Sequence, residues 1–172
     1  AERFKTFDLD GRSNSASPAG LTFDGDVYWG LEATSLVNET LAYAQDHLRI
    51  LSGLYGVLRP MDAIQPYRLE MGTKKANARG KSLYDFWGSR IGDQTEVNLA
   101  SNEYFKAVDT AALPGRVIEA SFLNVKDGEA RRLMYHVKFA RGLMARWIME
   151  NRIEKAGDLR GFDAEGYRFD SS

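Results

Sequence analysis

Cysteine is absent from this 172-residue sequence. That excludes disulfides, zinc-thiolate centres, cysteine nucleophiles and thiol redox relays. Histidine is scarce: His47 and His136 stand far apart, with no H-x-x-x-H spacing, so each is read as a satisfied structural residue rather than a metal ligand. No run approaches the roughly 18 apolar residues of a membrane helix. The first residues, Ala1-Glu2-Arg3-Phe4, lack the basic-then-apolar pattern of a secretory signal. They also lack an initiator Met, as expected if the beginning has been removed. Together these absences favour the cytoplasm. Also missing are a G-x-S-x-G elbow, a Walker phosphate loop and a G-x-G-x-x-G turn.

A strong overall charge is lacking too, since the net charge is only −1. The distribution is uneven, however. Residues 1–48 carry three basic and eight acidic groups, whereas Arg68, Lys74, Lys75, Arg79 and Lys81 face only Glu70 within residues 68–81. Residues 131–155 hold seven basic groups against Glu150 and Glu154. Two concentrated basic stretches can present local positive fields on a near-neutral protein. Solvated faces balanced by the acidic segments would read the same way.

The pattern along the chain predicts an α+β fold, with residues 1–172 as a single domain. Residues 8–20 read as a surface loop rich in Asp, Ser, Asn and Gly. A helix is expected from Asn38, with Leu41, Ala44, Leu48 and Leu51 at helical spacing and Ser52-Gly53 as its stop. Ser82 with Asp85 resembles a capping box opening a short helix through Tyr84, Phe86 and Trp87. Residues 96–100 read as a strand leading into a helix with Tyr104 and Phe105. Residues 117–125 and 131–137 read as two strands joined near Asp127-Gly128. A long basic and amphipathic helix is expected from Lys138 to Ile153.

That helix carries two faces. Phe139, Ala140, Leu143, Met144, Trp147 and Ile148 share an apolar arc that core packing explains. Lys138, Arg141 and Arg152 lie opposite, flanked by Arg146, with Gly142 and Ala145 leaving a low backbone that a phosphate chain can approach. A second candidate is the stretch from Leu51 to Pro60. Gly53-Leu54-Tyr55-Gly56, flanked by Arg49 and Arg59, resembles the turn of a helix-hairpin-helix module, whose amides grip a phosphate. The G-x-x-G spacing differs from the usual G-x-G, and a plain glycine-assisted helix turn is the competing reading. Glu70, Asp85 and Glu103 sit near aromatic or basic neighbours, but spacing alone selects no acid/base pair among them. No cofactor is indicated.

Longer strings go beyond generic patterns. They include Leu51-Ser52-Gly53-Leu54-Tyr55-Gly56-Val57-Leu58-Arg59-Pro60, Gln65-Pro66-Tyr67-Arg68-Leu69-Glu70-Met71-Gly72, Asn77-Ala78-Arg79-Gly80-Lys81 and Asn98-Leu99-Ala100-Ser101. With Ala140-Arg141-Gly142-Leu143-Met144 and Glu150-Asn151-Arg152, they resemble the YaaA family of bacterial peroxide-stress proteins. The resemblance runs from about Phe23 to Phe169. It implies a cytoplasmic protein that protects against hydrogen peroxide, keeps intracellular iron low and binds DNA through a helix-hairpin-helix and a positive cleft. The Gly53–Gly56 turn and the basic face from Lys138 to Arg152 are the positions matched to those features. Two departures stand out: the family's opening strand with a Ser-Pro-Ala-Lys-Thr string has no counterpart, and the segment between Trp87 and Asn98 is short. The end at Ser171-Ser172 also looks premature. The leading expectation is therefore sequence-independent DNA binding without catalysis. A glycosylase-like enzyme on nucleic acid or nucleosides and a carboxylate-based iron-sequestering protein are the alternatives.

Overall fold

The computed structural model describes residues 7–8, 16–91, 97–113, 116–126, 129–131 and 133–171. In chain order its first elements are β1 (Ser17–Pro18), α1 (Ala19–Thr22), α2 (Asp26–Leu31), α3 (Asn38–His47), β2 (Ile50–Ser52), β3 (Gly56–Leu58) and β4 (Ala63–Ile64). There follow α4 (Leu83–Trp87), β5 (Val97–Asn98), α5 (Asn102–Phe105), β6 (Ile118–Glu119), β7 (Asn124–Lys126), β8 (Glu129–Arg131) and α6 (Met134–Glu150). Helices and short strands are mixed, as expected for α+β. The strands pair only two at a time among the described residues: β1 with β4, β2 with β3, β5 with β6 and β7 with β8. Two compact units emerge. The first gathers residues 1–23, 48–96 and 100–117; the second gathers residues 24–47, 97–99 and 118–172.

The first unit contains the largest departure from the sequence reading. Residues 50–58 form an antiparallel β-hairpin, with Ile50 opposite Leu58, Leu51 opposite Val57 and Ser52 opposite Gly56. There is no helix-hairpin-helix at this position. Burial alternates along β3, with Gly56 and Leu58 inside and Val57 outside, the period of a strand. The helix that starts at Asn38, as expected, therefore ends at His47. Both glycines of the turn are there for close packing. A Cβ on Gly53 would run into the Leu69 carbonyl, and one on Gly56 would lie 2.8 Å from the Trp87 ring. Gly56 also takes φ +79°, a left-handed conformation that favours glycine. Trp87 closes the arrangement by donating from Nε1 to the Gly53 carbonyl at 3.1 Å.

Below the hairpin lies a core of Met71, Leu83, Ile91, Ala107 and Val108, against which Leu51, Leu69, Trp87 and Tyr104 pack. The capping box forms as expected. Asp85 N–H donates to Ser82 Oγ at 3.2 Å, and Ser82 N–H donates to Asp85 Oδ2 at 3.0 Å. Of the expected loop over residues 8–20, residues 9–15 lie outside the described residues. Ser17 to Gly20 belong instead to β1 and the start of α1.

The second unit is organised by α6, which starts at Met134 and ends at Glu150, four residues earlier and three earlier than the pattern suggested. Residues 134–137 are helical rather than extended, and the strand expected there is confined to β8. The expected β-hairpin is β7 with β8, with Asn124 opposite Arg131; its turn at 127–128 lies outside the described residues. The strand expected around residue 97 forms, but it pairs in parallel with β6. The apolar arc of α6 packs as read: Ala140 and Met144 are buried with Phe122 and Phe162, flanked by Leu143, Trp147, Ile148 and Tyr167. Gly142 and Ala145 are buried too, so this side of α6 is not an open backbone. A Cβ on Gly142 would collide with the Val27 carbonyl, and one on Gly30 with the Phe139 carbonyl. The two glycines let α2 and α6 cross backbone to backbone. Among the described residues no helix is long and apolar enough to cross a membrane.

Candidate functional site

Consider first the cations of α6 and its end. Arg146 is 79% shielded at its side chain, and its Nη1 donates to the carbonyls of Leu31 and Glu32 at 3.4 and 3.2 Å. The same nitrogen reaches Ser35 Oγ at 2.7 Å and Glu32 Oε2 at 3.3 Å, while Nε meets Glu150 Oε1 at 2.9 Å. Its positive charge thus sits at the carbonyl end of α2, where a helix dipole favours a cation. Lys138 pairs with Asp26 at 3.9 Å. Arg152 donates to the Glu39 carbonyl at 3.0 Å and lies 4.5 Å over the Tyr43 ring, whose other neighbour is the stacked His47 at 3.7 Å. Arg141 is half-buried and already partnered. Lys138 and Arg146 tie α6 to α2, and Arg152 ties the end of α6 to α3.

The basic stretch of the first unit is different. Arg68 is 84% exposed and meets Glu70 at 3.4 Å. Lys74 and Lys75 are exposed, and neither has a carboxylate within ion-pair distance among the described residues. Arg79 lies 4.8 Å over the Phe86 ring and donates to the Phe86 carbonyl, and Lys81 is exposed beside Asp85. The backbone between them is fixed. Asn77 bridges to Gly80, its Nδ2 donates to the Ser82 carbonyl at 2.8 Å, and its Oδ1 accepts from Arg79 N–H at 2.9 Å. Asp85 accepts from Ser82 and from Lys81 N–H, and these bonds hold its carboxyl below the usual range. The result is an ordered turn with four cations on its outside.

The flanking arginines are less available. Arg59 meets Asp62 at 3.6 Å, and Arg49 donates to the Leu48 carbonyl at 3.0 Å and holds a further partner. The Tyr55 amide of the Gly53–Gly56 turn is also in use, since its N–H donates to Ser52 Oγ at 2.8 Å. Ser52, which is fully buried, lies 2.5 Å from the Tyr67 hydroxyl. Sequence reading missed this phenol. The signal was available in the alternation of Gln65, Tyr67, Leu69 and Met71, the inward positions of an extended segment.

The same segment is joined to α5. Gly72 N–H donates to Glu103 Oε1 at 2.8 Å. Burial, reinforced by the charges of Tyr67, Glu103 and Glu70, pushes Tyr104 up to about 12. Burial also raises Tyr67, against the opposing bonds from Ser52 and Leu54. Both phenols therefore remain neutral donors at physiological pH. No three His, Asp or Glu side chains cluster to hold a metal ion among the described residues.

Comparison with known proteins gives consistent relatives. The chain is 54% identical to a UPF0246 protein of Phenylobacterium zucineum (strain HLK1), matching 98% of this chain and 66% of that one. It is 56% identical to a UPF0246 protein of Maricaulis maris (strain MCS10), over 99% of this chain and 68% of the relative. A UPF0246 protein of Saccharophagus degradans is 50% identical over 99% of this chain and 71% of its own. The chain thus spans about two thirds of the length of these relatives. A family model described as peroxide stress protein YaaA matches residues 1–172. On the match over residues 1–172 and the identity to these relatives, the chain belongs to the YaaA peroxide stress protein family.

Proposed function

We propose that the chain acts in the response to peroxide stress by binding nucleic acid through the phosphate backbone. The contact is made by the basic turn of the first unit: Arg68, Lys74, Lys75, Arg79 and Lys81. The observation that carries this reading is the pair Lys74 and Lys75, exposed on an ordered turn with no ion-pair partner among the described residues. Cations in this state displace counterions from a phosphate chain, and the gain is largely indifferent to base sequence. The family description supports the stress role. The α6 cations are left out of the interface because their charges already meet Asp26, Glu32, Glu150 and backbone carbonyls.

The test is titration of the purified chain with a fluorescent duplex across a salt series. Affinity falls steeply with salt, and changing Lys74, Lys75, Arg79 and Lys81 to Gln flattens the slope by about 0.9 per lost contact. An unchanged slope in that variant would sink the reading.

A further inference from the structure

The carbonyl end of α4 gathers two arginines. Arg79 Nη1 donates to the Phe86 carbonyl at 3.2 Å, and Arg90 Nη1 donates to the same oxygen at 3.3 Å and to the Trp87 carbonyl at 3.3 Å. The two Nη1 atoms therefore stand within two hydrogen-bond lengths of each other. Both residues are exposed, and neither has a carboxylate within ion-pair distance among the described residues. The carboxylate next in sequence, Asp85, accepts instead from the Lys81 and Ser82 amides and the Ser82 hydroxyl, all through Oδ2. Shared carbonyls carry only partial charge, so two full positive charges are held close together without an anion between them. Each arginine also keeps donors free. A guanidinium has five N–H groups in a planar fork. The bonds to Phe86 and Trp87 use Nη1 alone, so Nε and Nη2 of both residues make no bond among the described residues. Arg79 is further fixed by the Phe86 ring, 4.8 Å beneath its guanidinium, and by Asn77 Oδ1, which accepts from its amide at 2.9 Å.

We propose that Arg79 and Arg90 clamp the phosphomonoester at the end of a nucleic-acid strand, an inference that rests on the backbone contact of the basic turn proposed above. The charge of the pair selects this ligand. A phosphodiester within a strand carries one negative charge, whereas a terminal phosphomonoester approaches two and offers three strong acceptor oxygens. Guanidinium forks engage such oxygens two at a time, with a geometry that an ammonium does not impose. The lysines at 74, 75 and 81 are point charges and suit the diester chain wherever it lies. The arginine pair adds recognition of the place where that chain stops. Arg90 lies outside the basic stretch over residues 68–81, and only the fold of α4 brings it to Arg79.

The test uses fluorescent duplexes of one sequence that end in a 5′-phosphate, a 3′-phosphate or hydroxyls only. The chain is expected to bind at least one phosphorylated duplex about tenfold more tightly than the hydroxyl one. Arg90→Gln is expected to erase that preference while leaving the affinity and salt slope for the hydroxyl duplex in place. Arg90→Lys, which keeps the charge without the fork, is expected to lose most of the preference. Inorganic phosphate at matched ionic strength is expected to compete with the phosphorylated ends alone. Equal binding of all three duplexes by the wild-type chain would overturn the proposal, and a steep salt slope in the same titrations would keep the basic-turn reading. A preference untouched by Arg90→Gln, in a variant that melts like wild type, would overturn it too. If that variant melts early, the wild-type preference and its competition by inorganic phosphate decide the matter. Inorganic phosphate that stabilises the chain without any preference among the duplexes would assign the pair to the free ion and remove the strand end. A flat salt slope for the hydroxyl duplex would sink the basic-turn reading, and the phosphorylated ends would then report on the clamp alone.

Discussion

Two basic stretches of similar density have opposite fates in this molecule. Along α6, Lys138 and Arg146 meet a carboxylate and the carbonyl end of α2, and Arg152 just beyond it donates to the Glu39 carbonyl in the first turn of α3, so these cations become parts of a helix interface. In the turn over residues 74–81, Arg79 rests on Phe86 but Lys74 and Lys75 are exposed and meet no carboxylate among the described residues, while Asn77 and Asp85 bond the backbone beneath. Sequence density of charge thus says little about availability. What decides it is whether the fold brings a counter-charge across.

The comparison can be broken most forcefully at the apolar arc of α6. Trp147 packs at 5.7 Å on Phe162, so Trp147→Ala is expected to cost about 3 kcal/mol in a denaturant melt. A near-wild-type midpoint would mean that the apolar arc is not core. Arg146→Gln comes next, at about 2 kcal/mol, because it strips charged hydrogen bonds from the end of α2. If that variant instead kept its stability and lost DNA affinity, the α6 cations would belong to the interface and the contrast would fail.

Lys74→Gln with Lys75→Gln sharpens the other side. Stability should move by no more than about 0.5 kcal/mol, while the salt slope for duplex DNA falls by about 1.8. Equal salt slopes for mutant and wild type would assign these lysines to solvent. The smallest expected effect is at the cap of α4. Asp85 has a folded carboxyl pKa below its unfolded one, so its contribution is present above the unfolded value and is lost as pH falls through the folded value. Asp85→Asn should flatten the acid limb of the melting curve slightly, which a pH series in the same buffer will show.

Features set by neighbours in sequence were legible beforehand. The start of α3 at Asn38, the Ser82–Asp85 box and the apolar arc of α6 each depend on residues within one or two turns. The stretch Ile50–Leu58 was misread because Leu48 and Leu51 continue the spacing of α3, and only pairing with the returning strand makes Ile50 to Ser52 extended. The roles of Gly142 and Arg146 were hidden for another reason. Their contacts lie more than 100 residues away, so small size and positive charge looked like an open surface. At the candidate site the cations of residues 68–81 were visible as composition. The phenols were not, since Ser52 and Tyr67 meet across 15 residues and Tyr104 comes from a separate helix.

The bonds that Asn77 and Asp85 make beneath the basic turn have a consequence for kinetics. A charge carried on a settled backbone acts while the partner is still approaching, and exposed charges of this kind govern the association rate and its dependence on ionic strength. Dissociation answers to whatever desolvated contact forms afterwards. Replacing Asn77, a residue without charge, would loosen the turn through its bonds to Ser82 and Arg79. The cations would then meet the phosphate chain from many orientations, and the encounter would slow although no charge had been removed.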